Sequence, residues 1–363
     1  MFHADIFSNL IQPGYLNKLT ILFICLNAFL IAAIFIYLRK KKRTHFIQRG
    51  IKKSIELWIS KILLSEDETE PAYMHIPSKF QKHFRDKTKR EFTVNQLIDI
   101  KKNLSGKIAE NINHLYEHLG FRRDSLVKFQ SNIWNRRAKG IHELYMMDQK
   151  NMLPVLYKYT NSNNQYVRME AQAALIHFSG FEGLSFLDNI DHPISEWEQL
   201  KILEQLKLID FTEMKNLGRW LRSQNFSVVL FALKLAEVYQ EFQVHDDVAE
   251  CLQHKDEKVR SQAIITLSRI ANEYTSSILV QYYSNETLAN RQQILKCLMN
   301  MASDNEKDFL VTHLHDENDS LKLAAARVIA KCCSNGWEML KEIAKEQPHP
   351  YSEIYFHVKN ELQ

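Results

Sequence analysis

The chain has 363 residues, of which 45% are apolar and 25% charged, with only nine glycines and seven prolines. This composition is typical of an ordered, mostly helical chain, and so few glycines leave little room for a glycine-rich phosphate-binding loop. The formal net charge of +4 hides an asymmetry. Residues 39–137 carry 23 Lys and Arg against 11 Asp and Glu, whereas residues 138–363 carry 23 against 31.

The N-terminal part of the chain predicts a membrane anchor. After a short segment, residues 1–18, the 20 residues 19–38 contain no charge. A helix of this length spans about 30 Å, the thickness of a bilayer core. Five basic residues follow at once: Arg39, Lys40, Lys41, Lys42 and Arg43. Positively charged residues that flank a transmembrane helix stay on the cytoplasmic side.

We therefore expect a single-pass protein of the inner (cytoplasmic) membrane, with its N-terminus outside and its bulk in the cytosol. A cleaved signal peptide is the alternative, but it would carry its positive charge before the apolar run and a small-residue cleavage site after it. The five cysteines show no metal-ligand spacing, and free thiols suit a reducing cytosol.

Residues 39–92 are predicted to form a basic juxtamembrane helix and a linker. Between 44 and 64, apolar residues at helical spacing make one stripe, which contains Ile47, Ile51, Ile55, Trp58, Ile59 and Ile62. This stripe could lie on the anionic inner leaflet, on the transmembrane segments of a partner or on the domain that follows. The sequence leaves the three alternatives open. The acidic stretch 65–77 has the composition of a linker.

Two long helices are predicted next. A capping box at Thr93 and Gln96 predicts the start of a helix that ends at Gly120. Asp124 or Ser125 is expected to cap the second helix, which reaches at least Leu144. We interpret this pair as the N-terminal cap of a repeat domain over residues 93–363.

A signature recurs about every 31 residues in that domain. In most copies an apolar residue stands three positions after the helix-capping residue, and in every copy small or apolar residues stand seven and eleven positions after the cap; the copy at Ser195 is the weaker one. The capping residues are Asn164, Ser195, Asn225, Asp256, Thr287 and Asn318. A fixed period of this length marks a repeat solenoid, and a second apolar stretch before each cap makes each unit a helix pair. The predicted fold is all-α, a single N-terminal transmembrane helix followed by an α-solenoid of about seven helix pairs.

The cap, the Val-Arg pairs at 167–168 and 259–260, and the Ala-x-x-x-Leu spacing resemble HEAT repeats, in particular the short bacterial kind named after phycobilisome lyases. Residues 134–141 and 180–187 resemble membrane-anchored HEAT proteins of Bacteroidetes-type bacteria. The resemblance implies that Arg168, Arg260 and Arg291 join a ladder of ion pairs with neighbouring turns. It also implies a macromolecular partner, and proteins of this type are often encoded near membrane glycosyltransferases.

We therefore predict a non-enzymatic, membrane-tethered HEAT-like scaffold. It would bind a protein partner, such as the membrane protein of a glycosyltransferase complex, while its basic flank attracts anionic lipid. The candidate partner-binding residues, expected to be exposed, are Trp197, Arg219, Trp220 and Arg222. No cofactor or metal is predicted, because His114 and His118 have zinc-ligand spacing but no third ligand.

The sequence disfavours two other functions. A nucleic-acid-binding helical-repeat protein would need a basic groove, but the repeats are net acidic. A HEAT-like lyase would attach bilin chromophores, and no residue set in the sequence supports that chemistry.

Overall fold

The computed structural model describes residues 13–64, 78, 80, 84–211 and 213–362, and in these residues every regular element is a helix. The α-helices are α1 Pro13–Leu64, α2 Lys87–Lys101, α3 Lys107–His118, α4 Phe121–Phe129, α5 Trp134–Met146, α6 Leu153–Tyr157, α7 Gln165–Ser179, α8 Glu196–Leu206, α9 Leu217–Leu221, α10 Phe226–Tyr239, α11 His245–Glu250, α12 Glu257–Arg269, α13 Thr275–Tyr283, α14 Leu288–Leu298, α15 Lys307–Leu314, α16 Asp319–Cys332, α17 Gly336–Glu346 and α18 Pro348–Leu362. Six 3₁₀ segments are Lys150–Met152, Lys158–Asn161, Gly180–Asn189, Phe242–Val244, Cys251–Gln253 and Asp304–Glu306.

The chain divides into two compact units. Unit 1 comprises Met1–Asn132 and Glu143–Gln149, and unit 2 comprises Ile133–His142 and Lys150–Gln363. The acidic stretch predicted as a linker, residues 65–77, lies outside the described residues, as does the N-terminal segment 1–12.

Helix α1 of unit 1 is continuous over 52 residues, or about 78 Å at 1.5 Å per residue. Among the described helices it alone is long and apolar enough to cross a membrane, with a mean hydropathy of 2.8 in its most apolar window and none of that window buried. An N-terminal signal sequence can have the same length and composition.

The second half of α1 packs on protein. Ile51, Ile55 and Trp58 are buried in an apolar core that also contains Phe80, Val94, Leu97, Ile98, Ile112, Leu115, Tyr116, Leu119, Phe121 and Met147. The rings of Trp58 and Phe80 stack with centroids 5.1 Å apart. Of the three alternatives left open for residues 44–64, the structure therefore shows packing on the helices that follow. The structure does not describe the side chains of Ile59 and Ile62.

Two helix starts in unit 1 differ from the sequence prediction. The prediction of a capping box at Thr93 is wrong. Asp86 caps α2, because its side chain accepts hydrogen bonds from the backbone N–H groups of Thr88 and Lys89. Thr93 lies inside that helix, and its hydroxyl donates to the carbonyl of Lys89 at 2.8 Å. The helix then breaks before Gly106, whose φ is 64°, so the predicted single helix is two.

The predicted cap at Asp124 or Ser125 is also wrong. Helix α4 begins directly after Gly120, which adopts a left-handed φ of 67°. Asp124 accepts from Nε of Arg90 at 2.6 Å, and Ser125 donates to the buried carboxylate of Glu143 at 2.6 Å. Both side chains are therefore engaged in tertiary contacts, and α4 and α5 are separate helices.

Unit 2 confirms the repeat. All six predicted caps accept hydrogen bonds from backbone N–H groups of the helices they begin. The apolar and alanine positions that follow the caps are buried to 3% exposure or less, as at Val167, Ala171 and Leu175. Successive helices α7, α8, α10, α12, α14 and α16 each follow a shorter α or 3₁₀ element. The unit is an α-solenoid of helix pairs.

Candidate partner-binding surface

Two of the three signature arginines form the predicted ladder. Arg168 donates from Nε to Glu198 at 3.0 Å and from Nη1 to the carbonyl of Ser162 at 2.9 Å. Arg260 repeats the arrangement, with Glu286 at 2.7 Å and the carbonyl of His254 at 3.0 Å. The hydrogen bond to Glu286 raises the pKa of the Arg260 guanidinium. Each arginine thus joins its own turn to the next repeat.

Arg291 differs from this ladder. It donates to the carbonyls of Tyr283 at 3.2 Å and Ser284 at 2.7 Å. The acidic residue of the next turn, Asp316, instead accepts from the backbone N–H of Asn318 at 2.9 Å. That hydrogen bond is the main reason why the pKa of Asp316 is lowered. The signature arginines therefore have structural partners within the solenoid.

Trp220 was expected to be exposed, and this is wrong: it is only 3% exposed. With Leu217 and Leu221 it forms the buried face of α9, at the spacing of three and four residues that is typical of one helix face. Its indole N–H donates to Asp188 at 2.6 Å.

Arg219 and Arg222 are exposed, as predicted, but both are ion-paired to neighbouring repeats. Arg219 pairs with Asp188. Arg222 pairs with Asp247 and with Glu250, the latter at 3.3 Å. Both arginines therefore form ion pairs between neighbouring repeats, as Arg168 does.

Trp197 is exposed, as predicted, and three further exposed aromatic residues stand at corresponding helix starts. Four helices that begin in unit 2 each carry an exposed aromatic residue in the first two positions, with exposures from 42% to 55%. We call this set the aromatic ridge; it consists of Trp134, Tyr166, Trp197 and Phe226. The rings of Trp134 and Tyr166 stack with centroids 4.9 Å apart and planes inclined by 21°.

Hydrogen bonds between consecutive helix starts hold the ridge together. Gln165 donates to the hydroxyl of Ser195 at 3.0 Å. Asn225 donates to the carbonyl of His192 at 2.9 Å, and the backbone N–H of Ile194 donates to Ser227 at 2.8 Å. Because the N-termini of α7, α8 and α10 are linked in this way, their aromatic residues lie along one edge of the unit. Exposed Trp and Tyr in such a patch are typical of protein interfaces.

Trp134, Tyr166 and Phe226 were not predicted from the sequence as partner-binding residues. A signal was present, because Tyr166 and Trp197 both stand two residues after a cap and Phe226 one residue after. Apolar residues at those positions do not belong to the buried stripe, so they are exposed unless a further element covers them.

The five basic residues of the flank, Arg39 to Arg43, are all exposed on α1. Lys41 places Nζ 5.9 Å from the ring centroid of Tyr37, at the end of the apolar run. In the part of the chain that the structure describes, no group of three or more His, Cys, Asp or Glu side chains is arranged to hold a metal ion.

The family model for HEAT repeats matches residues 246–330. No curated protein matches the sequence. Among solved structures, a crystal structure of a Kap121p mutant is similar with a TM-score of 0.50 and 12% identity, over 82% of this chain and 39% of that one. The chain thus spans about two fifths of that protein, and at this identity the likeness shows the fold alone.

Two further solved structures are similar with lower TM-scores. An engineered protein has a TM-score of 0.37 and 13% identity, over 85% of this chain and 98% of that one. The CpcE–CpcF complex of phycocyanin lyase from Nostoc sp. PCC7120 has a TM-score of 0.23 and 12% identity, over 83% and 99%.

Proposed function

We propose that the protein is a non-enzymatic, membrane-tethered scaffold that binds a protein partner through the aromatic ridge. The observation that carries the proposal is the exposure of Trp134, Tyr166, Trp197 and Phe226 along one edge of unit 2. Tryptophan and tyrosine supply much of the binding energy at protein interfaces. Stacked helical repeats offer extended surfaces on which a partner can make many such contacts.

The tether is α1. Its apolar run is unburied, which in water would expose a long hydrophobic surface, and the five basic residues after it favour a cytoplasmic location for the rest of the chain. Each lysine or arginine next to an anionic leaflet contributes about 1 kcal/mol of attraction. We therefore place the N-terminus outside the inner membrane, the basic flank on anionic lipid, and the rest of unit 1 together with unit 2 in the cytosol.

A tether of this kind suits a partner that is itself a membrane protein, because both molecules are then confined to the same surface. A glycosyltransferase complex is the specific partner that the resemblance to membrane-anchored HEAT proteins suggests. The protein would act as its accessory subunit and contribute binding rather than chemistry.

The test is photo-crosslinking in cells with the full chain. A photo-reactive amino acid replaces Trp197 in one variant and Tyr274 in another, since both are exposed aromatic residues of unit 2 but only the first lies on the ridge. We expect one defined crosslinked partner from position 197 and none from position 274. Equal patterns from the two positions, or no protein crosslink from position 197, would contradict the proposal.

The tether is tested in the same cells. Full-length protein should stay in the membrane after alkaline extraction and should keep its N-terminal residues, whereas a chain lacking residues 1–43 should become extractable. Loss of the N-terminal segment from the mature protein would show a cleaved signal sequence instead.

A further inference from the structure

Unit 2 contains an open groove of about 360 Å³, within the size range of ligand sites. Leu153, Pro154 and Tyr157 of α6 line one wall, and Leu175 near the end of α7 lines another. The third wall is the 3₁₀ segment Gly180–Asn189. The groove is thus at the C-terminal end of α7, whereas the aromatic ridge is at its N-terminal end.

An irregular element shapes this groove. Ten consecutive residues in 3₁₀ conformation are unusual, because such helices rarely exceed three or four residues. Gly183 fixes the segment against α7, since a Cβ added there would lie 2.5 Å from the carbonyl oxygen of Leu175. A side chain at 183 would push the segment away from α7, so the groove depends on this glycine.

The rim carries one charge. Of the eight lining residues only Glu182 is ionisable at neutral pH, and its side chain is exposed. Among the described residues no cation lies within ion-pair distance of it. Lys150 and Lys158 flank α6 along the chain but do not line the groove. The C-terminal end of α7 adds partial negative charge to the same place.

We infer that this groove binds an apolar side chain of the protein partner that is flanked by lysine or arginine. The apolar walls take the side chain, Glu182 pairs with the neighbouring cation, and the stem of that lysine or arginine covers the rim. The inference rests on the proposed function, because it names the chemistry of the partner. The net acidic sequence from residue 138 on favours a basic partner over long range as well.

The probe is a short synthetic peptide with photo-leucine at its centre and two lysines on each side. Matched peptides carry glutamates in place of the lysines, and an unlabelled peptide with serine in place of leucine serves as competitor. Full-length protein in nanodiscs of zwitterionic lipid is irradiated with each peptide, and mass spectrometry locates the crosslinks. Weak binding suffices, because the crosslink is covalent.

We expect crosslinks from the lysine peptide to concentrate on residues 150–158 and 179–187. The yield should fall about three- to fivefold with Glu182→Gln, as for one exposed ion pair. It should fall at least as much with the glutamate peptide, because its negative charges repel Glu182. Ser185→Phe, which fills the groove, should abolish these crosslinks. Glu317→Gln removes the same charge at an exposed site elsewhere in unit 2 and should leave the yield unchanged. The serine peptide should not compete.

An unchanged yield in Glu182→Gln, crosslinks spread evenly over unit 2, or competition by the serine peptide would each overturn the inference. Circular dichroism of Ser185→Phe distinguishes a filled groove from a misfolded one. These failures are separable from a failure of the scaffold itself, because the photo-reactive residue at position 197 reports partner binding independently of this groove.

Discussion

Arg168 donates from Nε to Oε1 of Glu198, 3.0 Å away and one repeat further along the chain. The side chain of Glu198 is 1% exposed, and its other oxygen accepts from the backbone N–H of Ser195 at 2.9 Å and from the Ser195 hydroxyl at 2.8 Å. One buried carboxylate therefore joins the cap of α8 to the first turn of α7. This contact couples the two repeats.

Replacing Glu198 by alanine should lower the free energy of unfolding by about 3 kcal/mol. The change leaves the mostly buried guanidinium of Arg168 without its counter-charge, which is the costly way to break a buried ion pair. It also removes half of the capping box. Urea unfolding of the full chain in detergent, followed by circular dichroism, measures the loss.

The control for this prediction is Glu204→Ala, which breaks the exposed pair with Lys201 at 3.2 Å. An exposed pair contributes at most about 1 kcal/mol. Similar losses in the two variants would show that the contact between Arg168 and Glu198 does not couple the repeats.

Replacing Ile55 by alanine should destabilise unit 1 by about 3 kcal/mol, the cost of removing a fully buried aliphatic side chain. Ile55 is 0% exposed, whereas Phe46, two and a half turns earlier on α1, is 79% exposed. Phe46→Ala should therefore change the unfolding free energy by less than about 0.5 kcal/mol. The opposite order would mean that the stripe of residues 44–64 rests on lipid and not on protein.

The repeat fold was predictable from sequence because its signals are local. A side-chain oxygen at Asn164 or Asp256 caps its own helix, and the apolar residues that follow sit at fixed spacings from it. In unit 1 the sequence prediction failed where two signals compete. Thr93 and Gln96 have the spacing of a capping box, but Asp86 starts the helix two turns earlier and nothing between them interrupts it.

The candidate site was less predictable, because its residues depend on which elements become neighbours. Trp220 is buried since α9 turns that face inward, and a five-residue helix gives too short a pattern to show it. The stacking of Trp134 on Tyr166 joins residues of two different repeats. Arg219 and Arg222 were recognisable as exposed, but their carboxylate partners come from other repeats.

The thiol of Cys251 should react slowly with iodoacetamide in the native protein. Burial, followed by the charges of Glu250 and Asp247, raises its pKa from 9.0 to about 11. The thiolate is the reactive form, so a shift of this size lowers its fraction about 100-fold near pH 8. Labelling kinetics in native and denatured protein, with Cys251→Ser to assign the slow phase, measure the effect.

The same shift makes stability depend on pH. Because the folded pKa lies above the unfolded one, the unfolded state loses its proton first as the pH rises. The free energy of unfolding should therefore decrease between about pH 9 and pH 11, and Cys251→Ser should remove this part of the decrease. Equal labelling rates in native and denatured protein would contradict the burial of this thiol.

Substitutions at Trp220 and Trp197 should affect different properties, the first the free energy of unfolding and the second partner binding. Trp220→Ala should lower the unfolding free energy by about 4 kcal/mol, because a buried indole is lost. Trp220→Phe keeps most of the packing and should cost about 1 to 2 kcal/mol, since Asp188 loses one hydrogen bond but retains Arg219. Neither change alters the aromatic ridge.

Trp197→Ala should leave the unfolding free energy within about 0.5 kcal/mol of the original, because its side chain is more than half exposed. It should weaken partner binding about tenfold, as truncation of an interface anchor does. Urea unfolding and quantitative co-purification of the crosslinked partner measure the two effects on the same samples. If Trp197→Ala unfolds the solenoid, or if Trp220→Phe weakens binding as much while remaining folded, the ridge is not the surface that selects the partner.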